Sequence, residues 1–398
     1  TIHPENNQII FATTPDGSVP VYKSIDGGLT WASSSTGLPS ASGEIFDIVF
    51  DPDNSNILYL PYLAGIYRSV DGGKNWELKS TAVIDDSEYR IRAWSFDISP
   101  LDGTLFAGAY GGWAGLHGGV FRSKDRGETW VQVADEAETA GIISALAVSP
   151  SAPHIIYAGG YGEGIFKSSD GGETWISIGS SFGAFPDIYS LIVDPNNSNV
   201  VYMGTSHDGI YKTINGGQSW TPIGNGLGCT DIRDIIIDPG NQQVIYAAGG
   251  PNPSTGIPGV YKSLDNYGGS WSAMMEGMGS RSVYSLAIDQ NNPQNIFAGT
   301  SSGVWKYTVI SGPDDYSVSI NNGALFTNST SVTLALTAPV GTSEMMVSND
   351  GGFSGAVWEP YSSTKSWTIT SYGENIIPRI VYAKFKKNGV VSGLYQDD

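Results

Sequence analysis

Paired cysteines, basic charge, long apolar runs and helical periodicity are all scarce in this chain of 398 residues, and each scarcity excludes something. A single cysteine, Cys229, excludes a disulfide framework and a Cys-based zinc site. It has no evident histidine partner and reads as a structural thiol. No apolar run approaches the ~18 residues of a membrane span, and no charged-then-apolar signal opens the sequence. With 20 Lys and Arg against 39 Asp and Glu, the net charge is −19. Such a chain lacks the basic footprint that phosphate backbones require, so nucleic acid is not an expected partner. HExxH, P-loop, GxSxG and Rossmann fingerprints are missing too, and no cofactor and no metal are expected. What is present is 52 Gly, 11 Trp and 21 Tyr. The glycine share is nearly twice the usual ~7%. A hydrophobic content of 40% is enough to bury a large core, and so much aromatic content argues against disorder.

The glycine and tryptophan belong to a repeat. SIDGGLTW (24–31), SVDGGKNW (69–76), SKDRGETW (123–130) and SSDGGETW (168–175) share one frame; TINGGQSW (213–220) exchanges Asp for Asn, and SLDNYGGSW (263–271) carries one extra residue. Measured at the Asp or Asn, the spacings are 45, 54, 45, 45 and 50 residues. Each unit reads as four short strands. An alternating apolar run such as IYSLIV (188–193) is followed by a DPNNSN-type turn, a second strand such as VVYMGT (200–205), a third such as GIYKT (209–213), and then the box and a short fourth strand. Nothing in residues 1–310 sustains a helical period. Four strands every ~45 residues is the pattern of a propeller blade. The second and third strands recur seven times, the first and fourth six times. Seven blades are expected, with the first strand of blade 1 and the outer strand of blade 7 incomplete. The opening TIHP aligns with the strand ends VFDP, IVDP and IIDP. Residues upstream of Thr1 are therefore expected to supply the missing outer strand, and a signal peptide lies outside this sequence.

These boxes resemble the Asp-box, or BNR, repeat of sialidases, sortilin-type receptors, family 74 xyloglucanases and the Ycf48-type photosystem assembly factor. The resemblance implies a propeller, and no single activity, because those families act differently. It also implies that Asp26, Trp31, Asp71, Trp76, Asp125, Trp130, Asp170, Trp175, Asn215, Trp220, Asp265 and Trp271 are structural and lie on the C–D turns, away from the ligand face. Turn chemistry agrees: two glycines permit positive φ, the Asp accepts backbone N–H bonds, and the Trp buries a large area.

At Ser311-Gly312-Pro313 the rhythm breaks. YSVSIN, TSVTLALTA, SEMMVSND, SWTITS and RIVYAKFKKNG read as strands of a small sandwich, and the segment resembles Ig-like repeats of bacterial surface proteins. The expected fold is all-β: a seven-bladed β-propeller over 1–311 and an Ig-like β-sandwich over 312–398. The sandwich holds a net charge of −3 and the propeller −16, so most of the acidity is in the repeats.

Function is expected on the loops between second and third strands and between consecutive blades, around the channel mouth. The longest are 109–119, 249–259 and 80–92. Tyr89, Tyr110, Trp113 and Tyr161 are candidates for stacking on sugar rings, or for packing loop against loop. His117 is a candidate polar contact. Arg90, Arg92, Arg233 and Arg281 stand before or within first strands, where they either bind a carboxylate, as the sialidase arginines do, or pair with neighbours such as Asp231. Sialidase activity is not expected, since no Tyr–Glu nucleophile pair can be assigned. Asp85, Asp86 and Glu88 form the one acidic cluster in a long loop, and glycoside cleavage needs such paired carboxylates. DPDNSN (51–56), DPNNSN (194–199) and DPGNQQ (238–243) read as turns rather than calcium loops.

The expectation is a secreted or cell-surface, bacterial-type, non-catalytic binding and scaffold protein that meets a glycan or protein through the loop face. Self-assembly by strand addition at the ragged blades extends it. The alternatives are a fragment of a family 74-like glycoside hydrolase and an assembly factor of the Ycf48 type.

Overall fold

Runs of Ile, Val, Tyr and Ala between Asn, Asp and Pro turns pair with their sequence neighbours throughout the computed structural model. It describes the chain except for residues 15–20, 40–46, 63–64, 85–86, 112–116, 136–140, 163, 180–185, 251–258, 264–269, 275–281, 309–315, 322–329, 350–352, 370–380, 388, 393–394 and 398. The chain forms two units, Thr1–Thr308 and Val309–Asp398.

Among the described residues, the first unit is a β-propeller whose blades are seven antiparallel sheets, with strands named A to D from the axis outward. Blades 3 to 6 carry all four strands in sequence order, with A strands Ala93–Ile98, Ile143–Val148, Ile188–Asp194 and Ile232–Ile237. Blade 2 runs from Val49–Phe50 to Glu77–Leu78. Blade 1 shows Ile10–Thr13, Val21–Ser24 and Ala32–Ser33, and Ile2 bridges Ile10 where an A strand would lie. Blade 7 shows Val283–Ile288, Asn295–Thr300 and Gly303–Thr308; among the described residues no strand lies outside Gly303–Thr308. The segment 80–92 is not the open loop expected. Thr81–Ile84 pairs with Ser87–Arg90 as a separate hairpin, its first strand supplied with the strand formers Thr81, Val83 and Ile84 and its second with Tyr89.

B strands form the core. Tyr59, Tyr157, Tyr202 and Tyr246 are essentially inaccessible, as are Phe11, Phe106, Leu58 and Leu60. Small residues, such as Ala107 and Gly108 or Ala158 and Gly159, let the neighbouring A strands approach. A Cβ on Gly108 would stand 2.6 Å from the Ile143 carbonyl oxygen of the next blade.

The box is a closed hydrogen-bond circuit. Ser24 Oγ donates to Asp26 at 2.8 Å, Gly28 N–H donates to Ser24 Oγ at 2.9 Å, and Thr30 N–H donates to Asp26 at 2.9 Å. The same circuit recurs around Asp71, Asp125, Asp170 and Asn215. Donation from Thr30 and Thr174 comes first among the causes that hold Asp26 and Asp170 down at about 2. The first glycine of each box needs left-handed backbone, with φ near 70° at Gly27, Gly72, Gly171 and Gly216. Arg126 takes this position in blade 3 at φ 60°, where its guanidinium donates to Asp53 at 2.8 Å.

In the C strands of blades 1 to 4 a basic residue clasps the next blade. Lys23 Nζ reaches the Gly72 carbonyl at 2.7 Å, Arg68 the Arg126 carbonyl at 2.8 Å, Arg122 the Gly171 carbonyl at 2.8 Å and Lys167 the Gly216 carbonyl at 3.4 Å. Lys23, Lys167 and Lys212 also lie over the B-strand rings Phe11, Tyr157 and Tyr202. Blades 7 and 1 meet through Asn7 donating to Asp289 at 2.8 Å and Asn291 donating to the Pro4 carbonyl at 2.9 Å. Arg122→Ala is expected to lower stability by roughly 1.5–3 kcal/mol in urea unfolding, the range for hydrogen bonds to charged groups. Arg122→Lys should recover part of it, as lysine makes this clasp in blades 1 and 4. A loss below about 0.5 kcal/mol, the scale of ordinary surface changes, counts against the clasp.

The second unit has two antiparallel sheets. Ser317–Ile320, Ser331–Thr337 and Thr364–Thr368 form one; Glu359–Pro360, Thr342–Ser348, Val381–Lys387, Val390–Val391 and Tyr395–Asp397 form the other. Alternating residues of both, among them Val332, Leu334, Met345, Val347, Ala383 and Phe385, share one core.

Candidate functional site at the channel mouth

Five A strands break register at one and the same position. The pairing slips between Ala93 and Ser95, Ile143 and Ala145, Ile188 and Ser190, Ile232 and Asp234, and Val283 and Ser285. The residues left unpaired at these bulges are Trp94, Ser144, Tyr189, Arg233 and Tyr284. A β-bulge re-aims its side chain and is frequent beside functional sites. Here four large aromatic or guanidinium groups are brought to the mouth by one backbone device.

The groups form an arc. Trp94 lies 5.5 Å from Tyr110 with an interplanar angle of 21°, and 6.3 Å from Tyr161 at 29°. Tyr161 continues to Tyr189 at 6.4 Å and 27°. Beyond Tyr189, Arg233 donates from Nε and a terminal nitrogen to one Asp231 oxygen at 3.0 and 2.8 Å, and its guanidinium lies 4.6 Å from the Tyr284 ring centroid. Tyr161 is 42% exposed and Tyr284 51%, so the arc is open to solvent. Ser144 interrupts the aromatic series in blade 4. It is buried and donates to the Ile188 carbonyl of blade 5 at 2.6 Å.

Burial first, then the charges of Tyr161, Asp231 and Asp187, push the Tyr189 hydroxyl up, with Arg233 opposing. Burial pulls the Arg233 guanidinium down, and its bonds to Asp231 and Tyr284 outweigh that and raise it. The second Asp231 oxygen is buried and has no hydrogen-bond partner.

Below the arc lie three carboxyls, Asp97 and Asp234 on A strands and Asp47 just before the A strand of blade 2. Asp234 accepts the Leu286 N–H of blade 7 at 2.7 Å, and Asp97 the Val148 N–H of blade 4 at 2.7 Å. Protein surrounds these groups, although solvent reaches them along the axis and Asp47 is exposed. Desolvation, aided by the charge of Asp47, pushes Asp97 up to about 6 and Asp234 up to about 7; desolvation raises Asp47 as well.

Of the residues expected from sequence, the arc gathers Tyr110, Tyr161 and Arg233. Tyr89 stands apart in the hairpin, edge-on to His117 at 4.2 Å. Arg90 and Arg92 are exposed at the hairpin end, and the Arg92 carbonyl accepts the Tyr110 N–H. Arg233 pairs with Asp231, the neighbour suggested as its alternative. Trp113, Arg281, Asp85, Asp86 and Asp265 lie outside the described residues. Cys229 is buried, and desolvation pushes its thiol up to about 11, so it is no nucleophile at neutral pH. Sequence reasoning missed Trp94, Tyr189 and Tyr284. A signal existed, since each lies five residues before the Asp or Ser that opens the A–B turn, in register with Arg233. The DPxN-type turns satisfy themselves: Asp51, Asp194, Asp238 and Asp289 each accept N–H bonds from the residues two and three places further along.

No curated protein matches the chain. The family description of sortilin (Sortilin-Vps10; neurotensin receptor 3) matches residues 118–234. Among solved structures, YCF48 bound to D1 peptide aligns at 15% identity with a TM-score of 0.56, over 77% of this chain and 91% of that one. The extracellular domain of BT4673 from B. thetaiotaomicron aligns at 12% and 0.57, over 98% and 54%. An ancestral GH74 enzyme aligns at 18% and 0.51, over 89% and 52%. The chain thus spans about half the length of the last two. At these identities the likeness is one of fold, and the fold it shares with them is the β-propeller.

Proposed function

We propose that the protein is a non-catalytic binding and scaffold module, secreted or displayed on a cell surface, which holds a glycan or protein ligand on the loop face of its propeller. The second unit, in this reading, is an Ig-like spacer. The supporting observation is the bulge repeated at one position in five blades. A repeat held for packing alone would bury its bulged residues, as Ser144 is buried. Instead, the bulges present Trp94, Tyr189, Arg233 and Tyr284 to the mouth. Aromatic rings with an apolar body and a polar tip suit ligands that are partly apolar and partly wet. A propeller of the same fold bound to a peptide, as YCF48 is, supports the use of such a scaffold for partner capture.

Binding to glycan and peptide arrays tests the reading. Tyr284→Ala and Tyr161→Ala alter exposed rings and are expected to leave the melting temperature within a few degrees of the parent. They should weaken the captured ligand about ten-fold each, the equivalent of about 1.4 kcal/mol. Release of reducing sugar from a bound polysaccharide would instead make the protein an enzyme, and unchanged binding in both variants would move the site elsewhere.

A further inference from the structure

We propose that the outer edge of blade 7 is a strand-docking site, and that its occupant is an extended segment of a partner protein with an aliphatic side chain seated over Val304. The site is on the outer side of the blade, away from the channel mouth, and does not rest on the loop-face reading.

The six other blades are filled copies of this site. In each, the third and fourth residues of the C strand pair with a D strand, as Tyr22 and Lys23 pair with Ser33 and Ala32. In five of them the next residue donates its N–H to the carbonyl of the second C residue: Ser34 to Val21, Lys79 to Ile66, Ile178 to Ile165, Ile223 to Ile210 and Met274 to Val260, at 2.7 to 2.9 Å. The carbonyl of that same residue then accepts the box tryptophan of the following blade, as Ser34 accepts Trp76, Lys79 accepts Trp130 and Ile223 accepts Trp271.

Blade 7 presents the receiving half of this arrangement. Gly303–Thr308 pairs along its whole length with Asn295–Thr300, and among the described residues no strand lies on its other side. Val304 is 38% exposed, whereas its counterparts Val21, Ile66, Val120, Ile165, Ile210 and Val260 are each 0% exposed. Trp31 is the box tryptophan that follows blade 7 around the ring, and it donates Nε1 to Gly28 of its own box instead. Edge strands that must stay solitary are short, bulged, or guarded by proline or charge. This one runs six residues without a register shift, holds no proline, and has Lys306 as its single charge. The Lys306 amine lies 5.2 Å from the Phe297 ring centroid of its own sheet. Such an edge suits capture of an added strand, in which main-chain bonds give affinity and alternate side chains give specificity.

The filled blades set the chemistry of the occupant. The residue that bonds the second C carbonyl is Ile178, Ile223 or Met274 in blades 4 to 6, so an aliphatic side chain belongs over Val304. Its N–H would meet the Val304 carbonyl, and its own carbonyl would stand where Trp31 can reach it. A second copy of this chain is a poorer occupant, because two bodies of net charge −19 repel each other.

The test is fluorescence anisotropy of a labelled peptide, GGETWISIG, which copies residues 171–179, titrated with the whole chain. Its Ile178→Pro version lacks the N–H meant for Val304 and should bind at least about ten-fold more weakly. Val304→Lys alters an exposed side chain, so its melting temperature should stay within a few degrees of the parent. It should weaken the parent peptide by a similar factor, while Tyr161→Ala at the mouth leaves it unchanged. Hydrogen exchange of the Val304 and Lys306 amides should be fast in the free chain and slowed by the peptide. Equal binding of the two peptides, or binding of neither, overturns the inference. Edge amides already protected in the free monomer would show that the chain covers its own edge. Protection that appears only with concentration-dependent dimers would show that a second copy does. Either result overturns the inference as well.

Discussion

Trp76→Ala lowers the unfolding free energy by about 3–5 kcal/mol, the range for deleting a large aromatic side chain from a packed core. Trp76 is 4% exposed and belongs to the core shared by blades 1 and 2, with Phe11, Val21 and Leu58. Its Nε1 donates to the Ser34 carbonyl of the preceding blade at 2.7 Å, as Trp130 does to Lys79 and Trp271 to Ile223, both at 2.6 Å. Truncation thus empties an inter-blade cavity and strands a carbonyl whose partner came from the next blade. Trp31 is the internal comparison. Its Nε1 donates to Gly28 in its own box at 3.1 Å, and its side chain is half-buried. Trp31→Ala should therefore cost clearly less than Trp76→Ala. Urea midpoints at unchanged m-value measure both. Equal losses would show that the box tryptophan acts within its own blade, and the account of it as a rivet between blades would be wrong. Trp76→Phe, which keeps most of the ring and loses the N–H, should fall between parent and alanine.

The same residues show why one end of each blade was legible in the sequence and the other was not. The box is local: serine, aspartate, glycines and tryptophan lie within eight residues, and the serine, aspartate and glycine satisfy one another. Their pattern therefore survives as a string, and the seven B strands stand where the apolar runs put them. The clasp is not local. Lys23 and Gly72 are 49 residues apart, and nothing in VYKS distinguishes a clasping lysine from a solvated one until the blades are stacked. At the mouth the difficulty is different. IYSLIV and IRDIII read as alternating strands, and a bulge leaves no mark in such a run, because one unpaired residue changes the register without changing composition. Reading from the long loops inward found Tyr110, Tyr161 and Arg233 but passed over Trp94, Tyr189 and Tyr284, which stand on strands. Counting five residues back from each A–B turn would have gathered these strand residues into one column.

Thermal stability is expected to peak at about pH 4 and to fall as the pH rises toward about 8, because the channel carboxyls are held at about 6 for Asp97 and about 7 for Asp234. An aspartate in the unfolded chain titrates near ~3.9. Between that value and the raised native ones, the folded state keeps protons the unfolded state has released, so stability declines with rising pH through the window and levels off above it. The box carboxyls work in the opposite sense. Asp26 and Asp170, held at about 2, contribute stability that is complete above ~4 and is lost as the pH falls through 2. Asp234→Asn separates the two. An amide oxygen still accepts the Leu286 N–H and carries no charge into the channel. Ser95, Ser190 and Ser285 occupy the equivalent position in other blades, so a neutral polar side chain fits there. The variant should come nearest the parent at about pH 4, melt higher than it at pH 8, and lose much of the alkaline slope. Adding Asp97→Asn should flatten that slope further, since both carboxyls are raised by desolvation and by the same neighbour, Asp47. Melting curves from about pH 4 to 8 decide the matter. If Asp234→Asn melts lower than the parent at pH 8, the carboxylate is a favourable charge there, and the picture of a channel strained by its own acidity has to be abandoned.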